Sequence, residues 1–164
     1  MKLSIITPLR KKQGADISDL NNYRPVSNIS YFSKLLERVV AVRLHKHLAE
    51  NKLFTPNQSA YRPGHSVETA LTSIADSIFR SLDRRDGVAM VLLDLSAAFD
   101  TIDHAILLGR LRDVFGISGS ALTWIESYLT NRTFQVKVGD SLSDTHDLKF
   151  GVPQGSVFGR LLFS

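Results

Sequence analysis

The chain has 164 residues, of which 43% are hydrophobic and 22% are charged, and it contains no cysteine. These values are typical of a folded domain, and they exclude a disordered or collagen-like chain, disulfide bonds, thiolate metal sites and thiol nucleophiles. The formal net charge of +4 suits a polyanionic partner, and every apolar run is shorter than the ~20 residues that a membrane-spanning helix needs.

The first fifty residues predict a strand, a loop and a helix. Residues 3–8 are predicted to form a short strand, and the polar stretch 9–30 is predicted to be a loop. Apolar residues at helical spacing predict a helix from Tyr31 to about Glu50 that ends at Asn51. The apolar face of this helix contains Phe32, Leu35, Leu36, Val39, Val42 and Leu48.

A second helix is predicted after a connector at residues 55–65. Ser66 is predicted to cap this helix, and Glu68 is favourably placed in its first turn. A stripe of apolar residues at helical spacing is predicted to be buried. The stripe contains Leu71, Ile74, Ile78 and Leu82.

The run from Val88 to Leu95 is the strongest strand prediction, and Asp94 lies near its end. The run is apolar on both faces, which favours a central position in a sheet. A carboxylate taken out of water in such a run needs a cation or a function, and a strand-end aspartate suits Mg²⁺ with substrate phosphates and waters. The alternative is that Asp94 only ends the strand and caps the following turn.

The second half of the chain predicts two helices and a hairpin before a final loop. The helices are predicted from about Asp103 to Phe115 and from about Ser120 to Asn131. Alternating residues at 133–138 predict a strand with a partner near 145–150. The second of these helices is predicted to direct inward Leu122, Ile125 and Leu129. This irregular order of elements predicts an α+β fold.

Two aspartates after the strand allow two interpretations. Asp100 and Asp103 could form a second metal site, but both fit better as acids at the N-terminus of the helix that begins there, where the helix dipole stabilises them.

Residues 151–159 are predicted to be a glycine-rich loop that leads into a last helix, and residues 151–156 of this loop have the sequence Gly-Val-Pro-Gln-Gly-Ser. The glycines would let the backbone approach a ligand closely, and Gln154 offers a donor and an acceptor to a base or sugar. An ordinary turn before a helix is the alternative.

The basic residues of the N-terminal stretch suit a triphosphate or a nucleic-acid backbone, although a solvated surface has the same composition. These residues are Arg10, Lys11, Lys12 and Arg24.

Five blocks of sequence occur in a fixed order along nearly the whole chain. They are residues 22–27 (Asn-Tyr-Arg-Pro-Val-Ser), 33–38 (Ser-Lys-Leu-Leu-Glu-Arg), 58–66, 92–100 and 151–157. In this combination the chain resembles the reverse transcriptase domain of non-LTR (LINE-type) retrotransposons. A group II intron-type or telomerase-like polymerase is the neighbouring alternative, but the first and third blocks fit the retrotransposon set better.

The resemblance implies a right-hand polymerase fold. Residues 1–85 would be the fingers-like part, residues 86–164 an incomplete palm, and the thumb would be absent. The family takes its other metal carboxylates from a Tyr/Phe-x-Asp-Asp hairpin, and this sequence contains no Asp-Asp dipeptide. We therefore expect a truncated fragment of an RNA-directed DNA polymerase that is inactive by itself. Phe158 and Arg160 replace a leucine and a proline that are usual in the family, which suggests drift.

The resemblance also implies roles for individual residues. Asp94 would be the catalytic carboxylate and would hold two Mg²⁺ ions together with the backbone carbonyl of Leu95. Phe99, next to Ala98, falls at the position of the sugar gate, which leaves no room for a ribose 2′-hydroxyl. The other residues expected to bind the deoxynucleoside triphosphate are Lys12, Arg24, Gln154 and Gly155.

The implied partners are an RNA template, a DNA primer and deoxynucleoside triphosphates. The implied location is intracellular, in the nucleus or cytoplasm, with no membrane association. The alternative function is that of a non-catalytic nucleic-acid-binding remnant. A P-loop NTPase is excluded because no Gly-x-x-x-x-Gly-Lys-Ser/Thr motif occurs.

Overall fold

The computed structural model describes residues 2–95 and 97–163, and its fold is α+β, as predicted. The strands are β1 (Leu3–Arg10), β2 (Tyr23–Asn28), β3 (Arg132–Val138), β4 (Ser141–Leu142) and β5 (His146–Leu148). The α-helices are α1 (Tyr31–Glu50), α2 (Val67–Asp83), α3 (His104–Asp113), α4 (Gly119–Leu129) and α5 (Val157–Phe163). The predicted helices and the hairpin after α4 are therefore confirmed within a few residues of their ends.

The sheet joins the first two strands to the strands at residues 132–148. Its strand order is β2-β1-β3-β4, and β5 pairs with β3. β1 is antiparallel to β2 and parallel to β3. The prediction of a loop over residues 9–30 is wrong at β2, where Pro25 lies opposite Pro8. Proline is tolerated there because β2 is at the edge of the sheet, where a missing N–H breaks no ladder.

Helix α1 has the predicted ends but a different buried face. The Ser30 side chain accepts a hydrogen bond from the Ser33 N–H, and Asn51 is the C-cap. The apolar face named from the sequence is not the buried face: only Leu48 is buried, and its other members are exposed. The buried residues are Glu37, Ala41, Leu44 and Leu48. The helix is apolar on more than one side, so its contact with α5 decides which side is covered.

Helix α2 begins as predicted, with Ser66 and Thr69 forming a reciprocal capping box. A hydrogen bond from the Ser66 side chain lowers the pKa of Glu68 in the first turn. The predicted buried stripe is wrong, since α2 has no buried residue and the side chain of Leu71 is 60% exposed. The capping box and the other contacts within α2 therefore stabilise this helix, rather than burial of an apolar face.

Residues 88–95 form neither a helix nor a strand, so the prediction of a central strand is wrong. Their side chains are exposed, and Leu93 reaches 90%. A central strand needs a hydrogen-bonded neighbour on each side, and none of the described strands pairs with this segment. An apolar run indicates a tendency to be buried, but it does not supply the neighbouring strands.

The hydrophobic core lies among α1, α3, α4 and α5. Ile125 and Leu129 point inward from α4, as predicted, and Leu129 is fully buried. Phe158 of α5 is also fully buried and packs edge-on against Trp124 and Tyr128, so its ring fills part of the core. Within the described ranges, no helix is long and apolar enough to cross a bilayer.

Candidate active site

The structure brings two segments that are far apart in sequence into one site. These segments are the turn at residues 97–102 and the loop at residues 151–156. The Val152 N–H donates to the Phe99 carbonyl and the Gly151 N–H donates to the Ile102 carbonyl, both at 2.8 Å. The Gln154 side-chain amide donates to both carboxylate oxygens of Asp100, at 3.2 and 3.0 Å. Main-chain and side-chain bonds therefore hold the turn and the loop together.

Glycine is required at Gly151 because of this close approach. Gly151 has φ +80°, and a Cβ there would lie 2.6 Å from the Phe99 carbonyl oxygen. Gly155 is similar, with φ +102° and a Cβ position 3.0 Å from the carbonyl oxygen of Ser27. An L side chain at either position would be strained and would meet backbone, which cannot move aside as a flexible side chain can.

The other side of the loop meets strand β2. The Ser27 N–H donates to the Gln154 carbonyl at 2.8 Å. Arg24 is exposed on the same strand, three residues away, which corresponds to about 10 Å along an extended chain. Arg24 is thus on the strand that contacts the loop, and its binding of a triphosphate stays a prediction.

Lys12 lies at the same end of the β1–β2 hairpin as Arg24. The Lys11 N–H donates to the Asn22 carbonyl at 2.8 Å, which continues the pairing of the two strands by one step. Lys12 follows directly and is exposed. The two predicted cations, Lys12 and Arg24, therefore lie at the same end of this hairpin.

Phe99 and Ala98 are half-buried in the turn. The ring of Phe99 lies 4.8 Å, centroid to centroid, from the ring of Phe163 and packs against the core.

Asp103 caps α3 by accepting from the Ile106 N–H at 3.0 Å, as predicted. The same prediction for Asp100 is wrong, because α3 begins at His104 and Asp100 binds Gln154 instead.

Asp94 is exposed and does not end a strand. It forms no hydrogen bond or ion pair with another described residue, and Ser96, between it and the turn, lies outside the described residues. The carboxylate of Asp94 and the carbonyl of Leu95 are oxygen donors of the kind that Mg²⁺ prefers, and that ion takes its remaining ligands from phosphates and waters. Among residues 2–95 and 97–163, no group of three His, Asp or Glu side chains could hold a metal ion. Asp94 and Leu95 thus offer suitable oxygen atoms for Mg²⁺, and the binding of magnesium by these residues stays a prediction.

Two residues that support the loop were not predicted. His104 Nε2 donates to the Gly151 carbonyl at 2.7 Å, since a carbonyl can only accept. The buried carboxylate of Glu37 accepts from the first N–H groups of α5. His104 has no distinguishing pattern in the sequence. Glu37 does have a weak signal, because it shares a helical spacing of four, seven and eleven residues with Ala41, Leu44 and Leu48.

Behind the loop, Tyr128 and Arg132 are buried together, with the guanidinium 5.1 Å from the ring centroid. Burial, and then the negative charge of Glu37, raise the pKa of Tyr128 to about 12. The phenol therefore stays protonated at neutral pH.

Comparison with known proteins gives one family for the chain. The family described as "Reverse transcriptase (RNA-dependent DNA polymerase)" matches residues 9–164. The chain is 33% identical over 153 residues to a probable RNA-directed DNA polymerase from transposon BS of Drosophila melanogaster, covering 93% of this chain and 17% of that protein. It is 31% identical over 162 residues to the probable polymerase from transposon X-element of the same organism, covering 99% and 18%.

A third relative is the RNA-directed DNA polymerase from mobile element jockey of Drosophila melanogaster. The identity is 29% over 153 residues, covering 93% of this chain and 16% of the relative. The chain thus spans less than two thirds of the length of each of these relatives.

Proposed function

Because the chain belongs to the reverse transcriptase family, with relatives among the RNA-directed DNA polymerases of non-LTR retrotransposons, we propose that it forms the nucleotide-binding part of such a polymerase. The proposed reaction joins a deoxynucleotide to a primer 3′-hydroxyl. The 3′-oxygen attacks the α-phosphorus of the incoming triphosphate, loses its proton, and pyrophosphate leaves. The observation that supports this proposal best is the hydrogen-bonded contact of the turn at 97–102 with the loop at 151–156.

In this proposal the turn and the loop bind the sugar and base of the nucleotide. Phe99, with Ala98 beside it, lies against the sugar and excludes a 2′-hydroxyl. Gln154 and Gly155 line the base, because Gly155 offers exposed backbone and Gln154 is held in place by Asp100. An amide fixed by a charged partner loses little rotational freedom when a ligand binds.

The cations of the β1–β2 hairpin bind the triphosphate. Arg24 and Lys12 are exposed at one end of that hairpin, and Ser27 joins its second strand to the loop. A guanidinium can bind phosphate oxygens through two parallel hydrogen bonds, whereas an ammonium acts as a point charge. The proposed partners of the whole protein are an RNA template and a DNA primer, and its proposed location is intracellular.

Asp94 and the carbonyl of Leu95 would hold the magnesium ions. When bound, divalent ions would lower the pKa of the primer hydroxyl and neutralise charge on the leaving pyrophosphate. This chain supplies one aspartate of the proposed site and contains no Asp-Asp dipeptide. We therefore infer that catalysis requires a second block of carboxylates and that this chain alone is inactive.

Primer extension tests the role of Asp94. The test uses a polymerase that carries this chain together with a second carboxylate block. Asp94→Asn should lower the rate of primer extension by at least about a hundredfold, because a neutral amide cannot offset the positive charge of a metal ion as a carboxylate does. Asp140→Asn is the matched control, since Asp140 is exposed in the turn before β4, and it should leave the rate unchanged. A rate for Asp94→Asn within tenfold of the parent would reject the metal-binding role. Retained binding of primer–template with no extension by the parent would favour a non-catalytic nucleic-acid-binding remnant.

A further inference from the structure

Glu37 is the most deeply buried carboxylate that contacts the segment carrying the loop. Its side chain lies on the buried face of α1, where the residue is only 2% exposed. One oxygen, Oε2, accepts from the Val157 N–H at 2.7 Å and from the Phe158 N–H at 3.2 Å. Burial of a carboxylate is costly unless hydrogen bonds replace its hydration, and these two bonds do so at Oε2. Glu37 therefore joins α1 to a segment 120 residues away.

The bonds from Glu37 are part of a complete cap on α5. The first N–H groups of a helix have no partner inside the helix. In α5, Glu37 accepts from the first two, and Ser156 Oγ accepts from the Gly159 N–H at 2.9 Å. A negative charge at this end also interacts favourably with the helix dipole. The start of α5 is thus held by two acceptors: Glu37 of α1, and Ser156, which directly precedes the helix.

The loop proposed to bind the nucleotide ends where this cap begins. Gln154 and Gly155 lie three and two residues before Val157, respectively, and the Gln154 carbonyl accepts from the Ser27 N–H. We propose that Glu37 is a positioning residue for the incoming nucleotide, because it fixes the start of α5 and with it Gln154 and Gly155. This inference rests on the proposed function of the loop, and Glu37 itself touches no substrate.

Amide hydrogen exchange of the chain tests the anchoring step without any need for polymerase activity. Glu37→Gln keeps the shape of the side chain but removes its charge, so the Val157 and Phe158 amides should exchange about tenfold faster. Glu50→Gln is the matched control, because Glu50 is on the same helix but exposed and paired with Lys46 at 3.7 Å. Unchanged exchange at both amides in Glu37→Gln would overturn the proposal. Fluorescence of Trp124, the only tryptophan, reports whether the core remains folded.

Steady-state kinetics tests the positioning step. In a polymerase that carries this chain and a second carboxylate block, Glu37→Gln should raise the KM for the deoxynucleotide about tenfold and change kcat less. A loss of kcat or of active protein at an unchanged KM would show a purely structural role and would overturn the proposal. If Asp94→Asn retained activity while the KM effect of Glu37→Gln was present, the proposed metal role would fail and the positioning role would stand.

A second variant keeps the test valid if Glu37→Gln does not fold. Val157→Pro removes the N–H that makes the 2.7 Å bond and leaves Glu37 in place, and proline is well tolerated at the first position of a helix. It should raise the same KM in the same direction. An unchanged KM in this variant, with Trp124 fluorescence intact, would overturn the proposal.

Discussion

Phe99 makes contacts through both its backbone and its side chain. Its carbonyl accepts from the Val152 N–H, and its ring packs against Phe163. A side-chain substitution at this position leaves the backbone bond available while it changes the space beside the loop. The structural role and the proposed selective role can therefore be separated by experiment.

Phe99→Val should raise the use of ribonucleotides relative to deoxynucleotides, because a shorter side chain leaves room for a 2′-hydroxyl. The measurement is the ratio of the two kcat/KM values in a polymerase that carries this chain and a second carboxylate block. Phe150→Val is the control, since Phe150 is exposed beside the same loop. An unchanged ratio in Phe99→Val would leave Phe99 with its packing role only.

At the scale of elements, the contact between α4 and α5 depends on a neutral phenol. The ring of Tyr128 lies 5.4 Å from that of Phe158, centroid to centroid, and it stacks on Trp124 at 5.7 Å. Burial and the charge of Glu37 raise its pKa from 10.0 to about 12. The folded state therefore keeps a proton that the unfolded chain loses near pH 10.

This difference predicts a loss of stability in alkali. Between pH 10 and 12 the folded state binds more protons than the unfolded state, so the free energy of unfolding falls as the pH rises. The contribution of Tyr128 is fully present below pH 10 and is lost by pH 12, a change of about 3 kcal/mol. Urea unfolding should show this fall in the parent and in Tyr31→Phe, whose tyrosine is exposed, but a smaller fall in Tyr128→Phe. Equal slopes in the two variants would contradict this explanation.

The ends of elements were predictable because local side chains determine them. Ser66 and Asp103 cap helices at the positions where their spacing to the first turn predicts a cap. The buried face of α1 was not predictable, because the helix is apolar on several sides and α5 selects one of them. Strand β2 was missed because Pro25 is typical of a loop, although an edge strand accepts it.

The candidate site was only partly predictable. The resemblance pointed to Gln154 and Phe99 separately, but their joining through Asp100 and Val152 depends on tertiary contacts that no local pattern shows. Glu37 was missed because a glutamate in a helix is ordinarily exposed, and only the position of α5 explains its burial.

At the scale of the whole molecule, the accessible surface is large for the mass. It is 12003 Å², whereas a compact monomer of 18.2 kDa has about 8,100 Å². Much of the excess is apolar, since α2 and residues 88–95 expose leucine, isoleucine and valine side chains. The burial that stabilises the fold is concentrated instead among α1, α3, α4 and α5.

Two substitutions of the same type should therefore differ widely. Leu129→Ala removes a fully buried side chain and should lower the free energy of unfolding by about 2–5 kcal/mol. Leu93→Ala removes a side chain that is 90% exposed, and the expected change is within about 0.5 kcal/mol. Urea denaturation followed by Trp124 fluorescence measures both values. Similar losses in the two variants would show that residues 88–95 contribute to the folded core.

The loop at residues 151–154 is held largely by peptide groups, through the bonds of Gly151, Val152 and the Gln154 carbonyl. A peptide group is the same in every residue except proline, so most mutations of the partner side chains leave these bonds intact. Substitutions of the side chains can therefore change the chemistry of the site while the loop keeps its backbone path.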